Sequence, residues 1–252
     1  MNTALILAAG VGQRMSNAGC PKQFLKIMGK PIVVYTIEKF EDCKEIDNII
    51  IVCHGGYISE MEDLVEQYRL KKVVKIVVGG NVRQSSIQRG LDAILDMRKQ
   101  SGGTENIDKS QDIIVIHDGV RPLIEDQIIA ENIFAAKKYG CAITVHPVKE
   151  SVVITDSEDA EIDDFKERAK TYTMTAPQSF RLDLLEESFY AGDNQDYNGM
   201  PLLDAAMVYA KKKGAVHMVK ELGSNIKITT PEDFYYLKAI LELEEQKYIF
   251  GL

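Results

Sequence analysis

The N-terminal stretch is the feature that most restricts the fold, because an apolar run breaks there into glycines and then reaches an arginine and a lysine. Residues 5–7, Leu-Ile-Leu, are typical of a short strand covered on both faces. Gly10 and Gly12 follow where the chain must turn, and small residues leave backbone N–H groups uncovered. Exposed N–H groups bind anionic oxygen, and Arg14 and Lys22 add positive charge on the same loop. The stretch therefore predicts a strand that ends in a phosphate-binding loop.

Three known loops compete for this stretch, and their spacing separates them. The dinucleotide fingerprint needs a third glycine where this chain has Met15. A P-loop needs a Gly-Lys-Ser/Thr ending, and no such tripeptide follows Gly12. The remaining pattern, G-x-G-x-R followed by Pro21-Lys22-Gln23, resembles the signature loop of nucleotidyltransferases that join a nucleoside triphosphate to a sugar or alditol phosphate. An ordinary strand-turn-helix junction is the alternative.

Strand and helix patterns alternate through the first half of the chain. Strands are predicted at residues 48–53, 73–78 and 113–116, and helices at residues 31–40, 58–69 and 83–99. This alternation predicts an α/β fold in one domain over residues 1–252, a Rossmann-like, mostly parallel sheet with helices on both faces. Ligands gather at the carboxyl ends of such strands. Residues 10–22, 79–83 and 117–122 each follow a strand, so we expect them to converge on one crevice.

Residues 142–175 break this pattern, because two β-branched runs, residues 143–148 and 152–155, lie only a few residues apart. They predict a hairpin outside the main sheet, which the acidic residues 156–167 and the run 171–175 extend into a projecting β-arm. An exposed hairpin edge usually finds a partner, so the arm predicts a homodimer. Beyond it, we expect helices at residues 182–190 and 202–213, strands at residues 216–219 and 225–228, and a last helix opened by Pro231.

Composition excludes several classes of function. A formal net charge of −8 argues against a general nucleic-acid surface, so positive potential must be local, as in a phosphate pocket. The four cysteines are scattered and never form C-x-x-C, which indicates neither a zinc site nor a disulfide framework. No stretch has the length of a membrane span, and no basic region precedes an apolar leader. We therefore expect a cytoplasmic protein without a membrane or nucleic-acid partner.

Five motifs, in order, resemble one family across almost the whole chain. They are AAGVGQRM with PKQF, GGNVRQSSIQRGL, HDGVRPL, APQSF and NIKITTPEDF. The family comprises the methylerythritol-phosphate cytidylyltransferases and the closely related ribitol-phosphate cytidylyltransferases, which have the nucleotide-diphospho-sugar transferase type of fold. The resemblance implies that CTP and an alditol phosphate react to give a CDP-alditol and pyrophosphate. Because the attacking phosphate oxygen is already an anion, such an enzyme needs alignment and charge neutralisation instead of a serine or cysteine nucleophile.

The resemblance also implies which residues act on the phosphates. Arg14, Lys22 and Lys227 are the catalytic cations. The first two hold the triphosphate, and Lys227 stabilises charge near the reacting phosphates. Asp118 binds the nucleotide and helps to hold the cofactor Mg²⁺, which prefers hard oxygen ligands.

Nucleotide recognition is implied at the first loop and the second motif. Small residues there let backbone atoms reach the base edge, at Ala8, Ala9, Gly10, Gly12, Gly80, Asn81 and Ser86. Two of these positions have plainer alternatives. The pair Gly79-Gly80 also fits a simple strand-ending turn, and Ser86 fits a helix N-terminal residue.

The acceptor site is implied at three positions. By resemblance Arg168, on the predicted arm, binds the acceptor's phosphate, and Arg121 and Leu203 also contact the acceptor. Exchange of the arm across a two-fold axis predicts that Arg168 lies near the partner's crevice. A solvated charge in an acidic run is the alternative for Arg168, and a buried partner of Asp118 is the alternative for Arg121. His117 is left without a role, because a lone histidine beside a strand is more often packed than reactive.

Three departures from the family pattern bear on the acceptor. Gly119-Val120 stands where the methylerythritol enzymes typically have two alanines, whereas the ribitol enzymes tend to carry valine beside the arginine. Leu203 and Ala176 each replace a residue that offers a hydroxyl group, and such losses change substrate discrimination strongly. The first hypothesis is 2-C-methyl-D-erythritol 4-phosphate as acceptor, in isoprenoid precursor synthesis. The alternatives are D-ribitol 5-phosphate, giving CDP-ribitol for cell-surface polymers, and a non-catalytic nucleotide-binding regulatory protein.

Overall fold

The computed structural model describes residues 1–10, 20–102, 108–155, 161–190, 196–197, 200–201, 204–223 and 225–250. Within these residues the β-strands are β1 (Asn2–Ala8), β2 (Lys26–Ile27), β3 (Lys30–Pro31), β4 (Asn48–Cys53), β5 (Val73–Val78), β6 (Ile113–Asp118), β7 (Cys141–Pro147), β8 (Val152–Ile154), β9 (Asp164–Lys166), β10 (Tyr172–Arg181), β11 (Asp196–Tyr197), β12 (Met200–Pro201) and β13 (His217–Lys220). The α-helices are α1 (Ile32–Asp42), α2 (Ile58–Gln67), α3 (Arg83–Gly102), α4 (Asp126–Tyr139), α5 (Leu182–Tyr190), α6 (Ala205–Lys213) and α7 (Pro231–Phe250). In the first half of the chain, the predicted alternation of strands and helices is confirmed to within a few residues at each end.

A seven-stranded sheet forms the centre of the molecule, in the order β13-β7-β10-β6-β1-β4-β5. β1 pairs in parallel with β4 and β6, β4 pairs in parallel with β5, and β7 with β13. Only β10 among these strands runs antiparallel to its neighbours, β6 and β7. The predicted mostly parallel sheet is therefore confirmed. Strand β6 is buried along its whole length, which explains why its sequence is a continuous apolar run until His117.

Helices cover both faces of the sheet, as predicted. α1, α2 and α4 pack on one face, where Ile6 of β1 joins their buried side chains. α3, α5 and α6 pack on the other face, which receives Leu5, the preceding residue of β1. Gly90 lets α3 approach that face closely, because a Cβ atom there would lie 2.4 Å from Leu5 Cδ1. This close contact fixes the direction of α3, whose first residue reaches the site described below.

The predicted pairing within residues 142–175 was wrong in part. Strand β7 does not form a hairpin with residues 152–155 but lies in the main sheet, between β10 and β13. The run 171–175 likewise belongs mainly to β10 and not to the arm. The arm itself is a shorter hairpin of β8 and β9, which form a separate two-stranded sheet with exposed side chains. Residues 225–228 form no strand either, although the backbone N–H of Ile228 donates to the carbonyl of Val120 at 2.9 Å.

Asp233, in the first turn of the last helix, caps the start of that helix. Pro231 is the first residue of α7, as predicted, and Thr230 precedes it. Asp233 Oδ2 accepts hydrogen bonds from the backbone N–H groups of Thr229 and Thr230, both at 2.8 Å. These bonds satisfy N–H groups that a helix start otherwise leaves unpaired.

Among the described helices none is both long and apolar enough to cross a membrane.

Candidate active site

The carboxyl ends of four parallel strands surround a cavity of about 470 Å³. The convergence of the ends of β1, β5 and β6 was predicted, and the structure adds the end of β4 through His54. Most of the predicted site residues line this cavity, namely Ala8, Ala9, Gly10, Lys22, Gly80, Asn81, Ser86, Asp118 and Lys227. Two further predicted residues, Gly12 and Arg14, lie outside the described part of the chain. The functional roles implied for all of them stay predictions.

Gln23 ties the 3₁₀ turn after the first loop to the end of β1. Its side chain is buried, and Nε2 donates to the carbonyl oxygens of Ala8 at 2.7 Å and Gly10 at 3.0 Å. Gln23 lies in the 3₁₀ turn Lys22–Phe24, so these bonds attach Lys22 to the end of β1. From the sequence, Gln23 was noted only as part of the Pro-Lys-Gln motif and was given no role of its own. That motif was the only sequence feature that indicated a role for Gln23.

Glycines bring the end of β5 against the end of β1. A Cβ atom on Gly79 would lie 2.2 Å from Ala9 Cβ, so any other residue there would force the two strand ends apart. Ser86, in the first turn of α3, accepts a hydrogen bond at 3.0 Å from the backbone N–H of Gly80. Ser86 is the fourth residue of α3 and not its N-cap, and it also lines the cavity.

Asp118 is the electrostatic centre of the cavity wall. Its side chain is only 6% exposed and forms ion pairs with Arg83 Nη1 at 2.5 Å, Arg121 Nε at 3.0 Å and Lys227 Nζ at 3.1 Å. Burial alone raises the pKa of a carboxyl group, but Arg83, Lys227 and Arg121 together hold the pKa of Asp118 well below its usual value. The Asp118 carboxyl group is therefore ionised at neutral pH.

Arg83 connects Asp118 to a second carboxylate and was missed as a site residue. Its Nε donates to Asp204 Oδ1 at 2.7 Å, directly before α6 begins. Burial lowers the pKa of the guanidinium group, but Asp118 and Asp204 outweigh burial and raise it. The sequence signal for Arg83 was a positive residue at the start of a helix that follows a strand end.

Arg121 and Arg168, two of the three predicted acceptor residues, lie in different parts of the structure. Arg121 lies behind Asp118, outside the described lining of the cavity, and its Nη1 donates to the carbonyl of Asn225 at 2.8 Å. The ion pair between Arg121 and Asp118 corresponds to the alternative role of Arg121, a buried partner of Asp118. Arg168 is exposed in the 3₁₀ turn that follows β9, on the arm side of the chain. Leu203 lies outside the described residues, so the acceptor roles of all three stay predictions.

Comparison with known proteins then identifies the family. Residues 2–243 match the family model described as IspD: 2-C-methyl-D-erythritol 4-phosphate cytidylyltransferase. The chain belongs to the IspD family. It is a cytidylyltransferase, one class of nucleotidyltransferase.

Named relatives of this IspD-family chain differ in their acceptor. A ribitol-5-phosphate cytidylyltransferase of Vibrio parahaemolyticus is 40% identical over 252 residues, which is 100% of both chains. A 2-C-methyl-D-erythritol 4-phosphate cytidylyltransferase of Clostridium acetobutylicum is 36% identical over 243 residues, covering 96% of this chain and 98% of the relative. Among solved structures, 4-diphosphocytidyl-2C-methyl-D-erythritol synthase of Anaerococcus prevotii has a TM-score of 0.75 at 27% identity, with 96% of each chain covered. The family therefore has members named for each of the two acceptors considered from the sequence.

His117 has a structural place beside this IspD-family site. The ring is completely buried, lies 5.0 Å from the Phe40 ring and donates through Nε2 to the carbonyl of Arg121 at 3.1 Å. Burial lowers the pKa of His117 from 6.5 to about 4, so the imidazole is neutral at neutral pH. A neutral, buried ring that holds the backbone of Arg121 supports the packing interpretation.

We expect the stability of the protein to fall between pH 6.5 and pH 4 because of His117. The unfolded chain binds a proton in this window and the folded chain does not, so unfolding becomes easier as the pH falls. The pKa difference of His117, from 6.5 to about 4, corresponds to about 3 kcal/mol at most. Urea unfolding at a series of pH values should show this loss, and His117→Gln should reduce it. A His117 midpoint above pH 6 in an NMR titration would contradict the assignment.

Proposed function

We propose that this IspD-family chain is a Mg²⁺-dependent D-ribitol-5-phosphate cytidylyltransferase. It transfers CMP from CTP to D-ribitol 5-phosphate and releases pyrophosphate and CDP-ribitol. From the sequence, 2-C-methyl-D-erythritol 4-phosphate was the first hypothesis for the acceptor and D-ribitol 5-phosphate was the alternative. Full-length identity of 40% to a ribitol enzyme, against 36% to a methylerythritol enzyme, supports the reverse order. Val120 before Arg121, which resembles the ribitol enzymes, agrees with this order.

The second candidate is the methylerythritol acceptor, which the description of the matching family model favours. It shares the nucleotide, the reaction and the leaving group with the first candidate. The two candidates differ only in the polyol that carries the attacking phosphate. A direct comparison of acceptors therefore separates them.

The single observation that carries the proposed reaction, with either acceptor, is the cluster of cations at the converging strand ends. Lys22, Arg83 and Lys227 line the cavity, together with the glycine-rich ends of β1 and β5. In the reaction an oxygen of the acceptor's phosphate attacks the α-phosphorus of CTP. A new P–O bond forms there, and the bond from the α-phosphorus to the bridging oxygen of the β-phosphate breaks. The cations align two anionic groups and offset their repulsion, which is the main demand of phosphoryl-type transfer.

Asp118 is suited to hold Mg²⁺ through a single oxygen. A carboxylate offers about four acceptor positions, and Arg83, Arg121 and Lys227 occupy three of those on Asp118. One position remains at Oδ1, which accepts only from Arg83 among the contacts of the described residues. Mg²⁺ typically takes one or two carboxylates and completes its shell with phosphate oxygens and water. When bound, the ion neutralises charge that develops on the phosphates.

The homodimer is proposed from the exposed apolar side chains of the arm. Val153 and Ile154 of β8 and Phe165 of β9 are 42%, 42% and 69% exposed in the single chain. A hairpin with such side chains and free edges gains stability when it pairs with another copy. Arg168 lies two residues after the end of β9, so pairing of the arms would carry it towards the second chain.

We expect D-ribitol 5-phosphate to be the preferred acceptor when pyrophosphate release is measured with CTP. The value of kcat/KM for ribitol 5-phosphate should exceed that for 2-C-methyl-D-erythritol 4-phosphate at least tenfold, because one methylene group in a substrate commonly changes this ratio about 10- to 200-fold and a hydrogen-bonded hydroxyl group changes it far more. A reversed ratio would reinstate the methylerythritol acceptor.

Lys22→Ala should lower kcat by about 100- to 1000-fold with either acceptor, as loss of one preorganised charge does. Lys26→Ala, an exposed lysine of β2, is the matched control and should be near wild type.

We expect activity to disappear in EDTA and to return with Mg²⁺. Asp118→Asn should raise the Mg²⁺ concentration for half-maximal activity by roughly tenfold or more, because an amide oxygen is a weaker ligand than a carboxylate. Asp112→Asn provides the matched control, since Asp112 is also buried and ion-paired but lies at the opposite end of β6. Full activity in a metal-free assay, or equal metal dependence of the two variants, would contradict the role of Asp118.

We expect Arg168 to act on the neighbouring chain of the dimer. Arg168→Ala and Asp118→Asn should each be poorly active, and a mixture allowed to exchange subunits should exceed both, because one mixed site is then intact. Lys170→Ala, in the same 3₁₀ turn, controls for loss of a cation from the arm and should retain activity. No recovery despite exchange shown by mass-tagged subunits would place Arg168 in its own chain's site, or in none. A monomer in light scattering would contradict the dimer itself.

A further inference from the structure

Asn225 belongs to the NIKITTPEDF motif but has no part in the chemistry described so far. It is only 6% exposed and lies two residues before Lys227. Its side-chain nitrogen donates to the carbonyl of Ala176 at 2.6 Å and to Glu221 Oε2 at 3.1 Å. An amide nitrogen has two protons to donate, and both are used in these bonds. The orientation of the Asn225 side chain is therefore fixed.

The backbone of Asn225 is tied to the ion-pair cluster. Its carbonyl oxygen accepts from Arg121 Nη1 at 2.8 Å, while Arg121 Nε pairs with Asp118 Oδ2 at 3.0 Å. Asn225 thus connects strand β10, through Ala176, to the carboxylate at the end of β6. A shift of Asn225 would move the guanidinium group that Asp118 depends on.

Glu221 is the fixed support of Asn225. It is 2% exposed and follows β13, where its backbone N–H donates to the carbonyl of Val145 at 2.9 Å. Its own carbonyl accepts from His146 Nδ1 at 3.0 Å. These two bonds hold the backbone of Glu221 and so limit how far its carboxylate can move. A buried carboxylate is tolerated where it is hydrogen-bonded, as Glu221 Oε2 is by Asn225.

Lys227 lies between two anchors. Asn225 holds the chain before it, and Ile228 holds the chain after it through the bond to the Val120 carbonyl and a side chain with 0% exposure. The lysine side chain itself is 38% exposed, and its Nζ lies 3.1 Å from Asp118 Oδ2. A long, half-exposed lysine loses much conformational freedom on taking one position, so a rigid backbone reduces that cost.

We propose that Asn225, supported by Glu221, is a positioning residue that fixes Lys227 and Arg121 on Asp118 before substrate binds. The hydrogen bonds of its side chain go to Ala176 and Glu221, neither of which is among the described lining residues, and it acts through the two cations. The choice of CTP as probe rests on the proposed function. The effect of Asn225 on the position of Lys227 does not.

The test is a double-mutant cycle on the dissociation constant for CTP, which needs no turnover. Asn225→Ala should weaken CTP binding about tenfold in the wild-type background and less than about threefold in a Lys227→Ala background, because coupled residues are not additive. Asn132→Ala is the matched control. Asn132 is a fully buried asparagine whose Nδ2 also makes two donations, to Ile128 and Thr144, on a helix away from the cavity. It should lower the melting temperature without changing CTP binding.

Equal weakening by Asn225→Ala in both backgrounds would overturn the proposal, since a purely structural role predicts that result. If Asn225→Ala does not fold, Glu221→Ala and Glu221→Gln enter the same cycle. Glutamine retains an oxygen acceptor for Asn225 and should rescue binding relative to alanine. No difference between these two variants would also overturn the proposal.

A structural measurement separates this inference from the proposed function. In a crystal structure of ligand-free Asn225→Ala, or of Glu221→Ala, Lys227 Nζ should move away from its 3.1 Å contact with Asp118 Oδ2. An unchanged contact would overturn the inference whatever the nucleotide. Failure of the wild-type protein to bind CTP would contradict the proposed function alone.

Discussion

A buried carboxylate that faces three cations determines the form of the cavity. Asp118 is withdrawn from water, and a buried charge is tolerated only when it is paired and hydrogen-bonded. The partners come from the start of α3, from the loop after β6 and from the segment before α7. Satisfying one carboxylate therefore brings three separate parts of the chain to a single point. Loss of any of these partners would leave a buried charge less well paired, a change that commonly costs several kcal/mol.

The same cluster gives an acidic protein a local excess of positive charge. The chain carries a formal charge of −8, yet the cations Arg83, Arg121 and Lys227 outnumber the carboxylates Asp118 and Asp204 that they contact. Lys22 adds a further cation to the cavity wall. Net charge describes solubility and long-range steering, whereas binding of phosphate depends on this short-range excess.

The sequence predicts the parallel half of the fold because each buried strand there is a local apolar run. Parallel strands must then meet at one edge, so Lys22, Gly80 and Asp118 were placed in one crevice without knowledge of any contact. Pairing over longer distances leaves no local pattern. Two neighbouring β-branched runs suggested a hairpin, whereas β7 pairs with β10 and β13, which lie far along the chain. The ion pair between Arg83 and Asp204 was missed for the same reason, since the two residues are 121 positions apart in the sequence.

Asp118 also organises the cavity in the absence of substrate. Without a central anion, Arg83, Arg121 and Lys227 would repel one another and turn towards water. Held by the carboxylate, they are already placed and partly dehydrated when phosphate groups arrive, and electrostatic stabilisation by preorganised charges avoids reorganisation during the reaction. Such a cluster serves the phosphates, which both acceptors of the family share. Discrimination between ribitol and methylerythritol must then come from side chains that contact the polyol, which explains how one family fold is compatible with two acceptor names.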